Sequence, residues 1–157
     1  MRRGTSATAW YERGVALEAS DPAAAIAAYE RALAALPAFA DAHNNLGRLH
    51  HDAGQPAAAE SCYRLALCAE RRVALYWFNL GVALEDQRRD AEAIAAYEEA
   101  VALDPSCADA HFNLARLHEV IGRRMGDVRQ IQRAVRYLIA YKKLNHRGRE
   151  TESRDQI

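Results

Sequence analysis

Apolar positions recur along this chain at helical steps. His43, Leu46, Gly47 and His50 mark one face of a helix near residues 40–53. Val128, Ile131, Val135, Leu138 and Tyr141 mark another across 127–144, with Arg129, Arg133, Arg136 and Lys143 left to face water and the helix acting as a cap. Such patterns alternate in pairs, near 7–19 with 22–35, 40–53 with 56–69, 74–87 with 90–103, and 108–121 with 127–144. No run alternates with period two, so no strand is expected. The residues between the patterns act as stops and starts. Asp21 before Pro22 reads as a capping carboxylate followed by a proline at the first helical position, and Asp90 and Asp127 read as caps of later helices. Gly54 and Gly122 stand where a first helix should end in a left-handed residue, and Pro37 and Pro105 close second helices.

The pattern also copies itself. Residues 40–54 match 108–122 at 10 of 15 positions, and 24–37 match 92–105 at 9 of 14, both at an offset of 68. Leu-Gly at Leu46 recurs at Leu80, so the unit is 34 residues, a period that signals stacked helical repeats. Gly47, Gly81, Ala59 and Ala93 let backbones approach closely, while Tyr29, Tyr63 and Tyr97 fill the remaining space. One such unit cannot bury its own apolar face, so neighbours must stack.

Trp77, Leu80, Gly81, Leu84, Ala93, Tyr97, Ala100 and Pro105 fall at the spacings of the tetratricopeptide repeat, and the chain resembles that family from about residue 7 to 144. The second unit keeps His43, Leu46, Gly47, His50, Ala59, Tyr63 and Ala66, with Arg71 where proline is usual. The first keeps Trp10, Gly14, Leu17, Ala25, Tyr29, Ala32 and Pro37 with a loop one residue shorter. The fourth keeps His111, Leu114, Ala115 and His118, then reaches Ala134, Leu138 and Tyr141 after about seven extra residues. The resemblance implies an all-α fold, a right-handed superhelical α-solenoid of about three and a half helix pairs with a longer C-terminal capping helix. It implies one domain over 7–144, with repeats near 7–39, 40–73, 74–107 and 108–144, and flexible ends at 1–6 and 145–157.

The resemblance also implies a concave groove lined by the first helices. The positions that would line it are Asn44, Asn45 and Arg48, then Phe78, Asn79 and Val82, then Phe112, Asn113 and Arg116. Asn45, Asn79 and Asn113 stand 34 residues apart, and a file of carboxamides can clasp the peptide units of an extended chain. The file is similar to the asparagine ladder in the repeats of O-linked N-acetylglucosamine transferase and related bacterial arrays. The alternative is that these asparagines tie neighbouring helices together. Phe78 and Phe112 would take apolar side chains, and Arg48 and Arg116 would pair with acidic groups of the ligand. Repeats that hold the C-terminal carboxylate of heat-shock chaperones place lysine, arginine and asparagine where this chain has Tyr11, Val15, Asn45, Leu75 and Asn79. Only Asn45 fits, so no chaperone-tail adaptor is expected.

Composition narrows the function further. His43 with His50 and His111 with His118 lie on single helical faces, but they replace Trp10 and Leu17 or Trp77 and Leu84 of sister repeats, which favours packing over metal binding. No phosphate loop, supported nucleophile or carboxylate pair is present, so no catalysis, metal or cofactor is expected. No apolar run reaches the length of a membrane span, and no secretory signal follows Met1. Cys62, Cys68 and Cys107 lack pairing or ligand spacing and fit a reducing cytoplasm, while scarce lysine with abundant arginine and alanine suggests a bacterial source. Residues 1–119 hold 11 basic and 17 acidic side chains, and residues 120–157 hold 10 and 4, so the halves carry minus six and plus six. The basic end has no interleaved aromatics, so nucleic acid is not the expected partner. The expected partner is a protein or peptide segment. Self-association of acidic body and basic end, or service as the interaction part of a larger regulatory or transferase system, are the alternatives.

Overall fold

The computed structural model describes residues 6–154, with side chains as far as His146. Eight helices and no strand occupy the described residues: α1 Ala7–Leu17, α2 Pro22–Ala35, α3 Ala40–Asp52, α4 Pro56–Ala69, α5 Ala74–Asp86, α6 Asp90–Leu103, α7 Ala108–Met125 and α8 Val128–Arg154. They pack as four hairpins in chain order, each hairpin resting on the next, which is an all-α solenoid. The expected flexible ends fall outside the described residues at 1–5 and 155–157, and α8 runs on to Arg154, past the expected end at residue 144.

The core is built chiefly of alanine and tyrosine. Ala25, Ala59, Ala93 and Ala100 are wholly buried, and with no side chain beyond Cβ they let helix axes close up. Each tyrosine then fills the gap opposite a glycine. A Cβ on Gly14, Gly47 or Gly81 would lie 2.6, 2.7 or 2.6 Å from Cε1 of Tyr29, Tyr63 or Tyr97. The fourth repeat solves the same contact differently, with Ala115 in the glycine position and Leu138 in the tyrosine position.

Helix ends follow local chemistry. Ser6 and Asp21 accept hydrogen bonds from the N–H groups of Ala9 and Ala24 at 3.2 and 3.0 Å, as capping side chains do. Asp127 accepts from the Arg129 N–H at 2.8 Å, but Asp90 is the first helical residue of α6 and caps nothing. Gly54 closes α3 at φ +73°. Arg88 closes α5 at φ +62°, in the equivalent position, without glycine's freedom. Gly122 does not stop α7: the helix continues one turn to Met125 and ends at Gly126, φ +66°. Gly122 is kept small instead by Ile131, whose Cδ1 would sit 2.7 Å from a Cβ there.

The loops that enter first helices share one bond. The ring N–H groups of His43, Trp77 and His111 donate to the backbone carbonyls of Pro37, Arg71 and Pro105 at 2.8, 2.9 and 3.0 Å. A carbonyl only accepts, so Nε2 of both histidines carries the proton. α4 ends at Ala69, two residues before Arg71, just as α2 and α6 end two residues before Pro37 and Pro105, so the loop keeps its form where Arg71 replaces proline. The capping role of α8 is only partly met. Ala134 is buried and Ile131 and Tyr141 are half-buried, but Val128, Val135 and Leu138 of the same stripe are exposed.

Candidate peptide-binding face

First helices of successive repeats meet through their side chains, as expected on the inner side of a curved stack. The Asn79 amide donates to Asn44 Oδ1 at 2.9 Å, and the Tyr76 hydroxyl donates to Asp41, so α5 is tied to α3. This places Asn44 differently from expectation. It is only 5% exposed, it also donates to Asn45 Oδ1 at 3.3 Å, and it acts as an internal bracket.

Asn45 is half-exposed but occupied. Its amide donates to the hydroxyls of Tyr11 and Tyr29 at 3.2 and 3.3 Å. The Tyr29 hydroxyl donates in turn to Glu18 at 2.5 Å, and Arg48 donates to the other oxygen of Glu18 and lies 3.6 Å from Asp52. The same net recurs two repeats later. The Tyr97 hydroxyl donates to Glu85 at 3.2 Å, Arg116 donates to Glu85, and Asn113 reaches the Tyr97 hydroxyl. In the repeat between, Val82 stands where the arginine would be. Arg48 and Arg116 are therefore neutralised by carboxylates of the preceding repeat and are not free cations waiting for an acidic ligand. The signal for this net lay in Glu18 and Glu85, 67 residues apart, and in the tyrosines, whose hydroxyls were taken up only as core volume in the sequence pattern.

Burial, reinforced by Glu85, raises the Tyr97 phenol above its ordinary range, and burial with Glu18 does the same to Tyr29. Tyr63, lacking such a partner, is pushed up to about 12 by burial first and by Asp52 second. All three phenols are thus neutral at neutral pH, and those of Tyr29 and Tyr97 donate to their carboxylates. Burial also raises the thiols of Cys62 and Cys107.

Asn79 is the least committed rung. Its amide makes one bond, to Asn44, which leaves its carbonyl and a second N–H for another group. Around it stand Leu75, exposed, with Phe78 and Val82 half-buried and Phe78 tilted on Tyr97 at 5.6 Å between ring centres. Phe112 is 43% exposed and packs on Tyr141 at 5.2 Å. The arrangement offers an apolar strip with carboxamides along it, bordered by Asp41, Asp86 and Asp109. The histidines serve packing. His50 pairs with Gln55 at 2.8 Å, and His118, fully buried, bonds Gln130 at 2.6 Å and stacks flat on Tyr137 at 5.6 Å. No described helix is long and apolar enough to cross a membrane.

Among curated proteins no sequence matches this chain. Similar solved structures are a crystal structure of MamA, with TM-score 0.82, 18% identity and coverage of 92% of this chain and 81% of that one. Another is MamA residues 41 to the end from Desulfovibrio magneticus RS-1, with TM-score 0.76, 21% identity and coverage of 91% and 77%. A third is the first TPR of Spaghetti (RPAP3) bound to the HSP90 peptide SRMEEVD, with TM-score 0.71, 22% identity and coverage of 74% and 93%. At these identities the likeness concerns the fold. Models of the tetratricopeptide repeat match residues 74–107 and, in a second form, 15–73 and 91–135, which together with the hairpin stack makes the chain a member of the tetratricopeptide-repeat family.

Proposed function

We propose that this protein is an interaction scaffold that binds an extended or helical segment of another protein along the face shared by α1, α3, α5 and α7, without catalysis. The observation that carries the reading is the partly satisfied Asn79 set among exposed or half-exposed Leu75, Phe78, Val82 and Phe112, with Asn113 continuing the file. A surface whose apolar side chains and unspent amide groups lie in one row suits a main chain with alternating side chains. The three free thiols fit a reducing cytoplasmic setting.

The charges refine the ligand. With Arg48 and Arg116 held by Glu18 and Glu85, the remaining ionic groups along the face are chiefly Asp41, Asp86 beside His51 at 2.7 Å, and Asp109, so a neutral or basic segment is favoured over an acidic one. The TPR of RPAP3 carries an acidic peptide, SRMEEVD, whereas this chain shares only Asn45 of the chaperone-tail positions and spends it on Tyr11 and Tyr29. Three net hydrogen bonds at about 0.5–1.5 kcal/mol each support only weak binding, so the apolar strip has to supply the rest. The test is isolation of a partner by pull-down and mass spectrometry, followed by titration of the purified partner against Asn79→Ala combined with Asn113→Ala. A tenfold or greater loss, on the order of 1.4 kcal/mol, is expected. Unchanged affinity would remove the face from consideration.

A further inference from the structure

The end of the stack is built differently from the junctions within it. At each internal junction the hairpin's open side receives the next first helix: the side formed by Gly81, Glu85 and Tyr97 receives α7 through Asn113 and Arg116, and buries Ala110 and Leu117. On the last hairpin no described residue covers the equivalent side. There Phe112, Ala115, Ile131, Val135 and Leu138 line a trough of about 320 Å³ between α7 and α8. Val135 and Ile139 are each 49% exposed and Leu138 38%, whereas in α6 the equivalents of Val135 and Leu138 are the half-buried Ile94 and the buried Tyr97. A terminal hairpin meant only to meet water would carry polar residues here.

We propose that this trough is a second binding site, which shares Phe112 and Arg116 with the face of α1, α3, α5 and α7 but is otherwise formed by the rear of α7 and by α8, and that it takes an acidic amphipathic helix of a partner protein. Its shape selects a helix, because the same trough one repeat earlier is filled by one. Its charge selects acids: residues 119–146 carry seven basic side chains against Glu119 and Asp127, and although Arg123 at the rim pairs with Glu119 at 2.6 Å, exposed Lys142 on α8 lies beyond that pair and keeps the trough's surroundings positive. Lys142 continues the line of Val135 and Leu138 one turn on. A polynucleotide would leave the apolar lining unused, and a flat lipid surface would not enter a trough. A second copy of this chain is a poor fit, since the stripe on α1 equivalent to Ala110, Asn113 and Leu117 is Ala9, Glu12 and Ala16, without the large side chains the space requires.

The probe is a labelled helical peptide with leucines at i, i+3, i+4 and i+7 and glutamates on its flanks, compared by fluorescence anisotropy with a counterpart in which lysines replace the glutamates. The acidic peptide is expected to bind about tenfold or more tightly at low salt, with the advantage shrinking as salt rises. Val135→Glu with Leu138→Glu, exposed positions whose change is checked by circular dichroism, should abolish binding. Arg123→Glu with Lys142→Glu should erase the preference for the acidic peptide, and Asn79→Ala with Asn113→Ala should leave it intact. Equal binding of the two peptides, or binding that survives Val135→Glu with Leu138→Glu, overturns the proposal. So does self-association of the chain that those two substitutions abolish, or displacement of the peptide by duplex DNA that still binds the Val135→Glu, Leu138→Glu protein.

Discussion

Replacing Gly81 with alanine sets two ordinary effects against each other, and the structure decides between them. Alanine is favoured over glycine inside a helix by about 1 kcal/mol. Against this, the new Cβ would sit 2.6 Å from Cε1 and 2.7 Å from Cδ1 of Tyr97. Tyr97 is fully buried, and its hydroxyl is tied to Glu85 at 3.2 Å, so the ring has little room to yield. Forcing a methyl into a packed core costs about 1–3 kcal/mol, and a ring held at both ends belongs near the top of that range. The net expectation is a loss of about 1–2 kcal/mol for Gly81→Ala after the helical gain. The fourth repeat supplies the internal control, because it pairs Ala115 with Leu138 at these positions. Tyr97→Leu alone should also destabilise, by leaving space and an unanswered Glu85. Tyr97→Leu added to Gly81→Ala should cost less than the two changes summed, with a coupling of at least about 1 kcal/mol. Urea unfolding of the four proteins, read by circular dichroism, gives the cycle directly. A Gly81→Ala protein as stable as the parent, or strictly additive changes, would refute the packing argument.

Arg88→Gly should raise stability by about 0.5–1 kcal/mol, since a non-glycine residue at φ +62° carries strain of about 1–2 kcal/mol that glycine's greater unfolded-state freedom offsets in part; a lower midpoint in urea would count against it. Gly54→Ala, at φ +73° with open space around the added atom, should lose a similar amount through the backbone alone. Tyr63, whose phenol moves from an ordinary 10 to about 12 in the fold, favours the folded state fully below pH 10, and that contribution is lost as pH rises from 10 through about 12. Tyr29, Tyr76 and Tyr97 shift the same way, so phenolate absorbance from these residues should appear together with the loss of helix rather than in a separate titration near pH 10. Glu18→Gln with Glu85→Gln should release Arg48 and Arg116 and shift peptide preference toward acidic segments, measured by anisotropy with matched acidic and basic peptides; an unchanged preference would show that the ion pairs do not set it.

The fold was legible because its signals are repeated and local. Helical spacing, Asp21 before Pro22 and the Gly-Tyr register each recur or cap within a few residues, so a single reading is checked several times along one chain. The misses occur where a local signal has a non-local rival. Gly122 looks like a terminator because Gly54 is one, yet Ile131 across the hairpin needs the space, and the helix ends instead at Gly126. Asp90 resembles Asp21 but lacks the proline after it, and the helix begins on Asp90 itself. The stripe on α8 is amphipathic as a cap should be, but periodicity reports which residues share a face and not whether anything covers that face.

The same limit explains the binding face. A 34-residue spacing shows that Asn45, Asn79 and Asn113 occupy one position, and that Arg48 and Arg116 do, but not how many of their hydrogen bonds are already taken. In the structure Asn45 answers two tyrosines, while Asn79 answers only Asn44. Equivalent positions thus hold different reserves of bonding. The cause is the neighbour: Val82 in the middle repeat brings no arginine, and no net of tyrosine, glutamate and arginine forms around Asn79. A ligand that uses amide groups should therefore engage the middle of the array, where Leu75, Phe78 and Val82 also gather. The outer repeats, whose polar groups are paired with one another, would then hold the helices in place around that centre. Affinity should respond most to Asn79 and its apolar neighbours, and stability most to Tyr29, Tyr97 and their carboxylates.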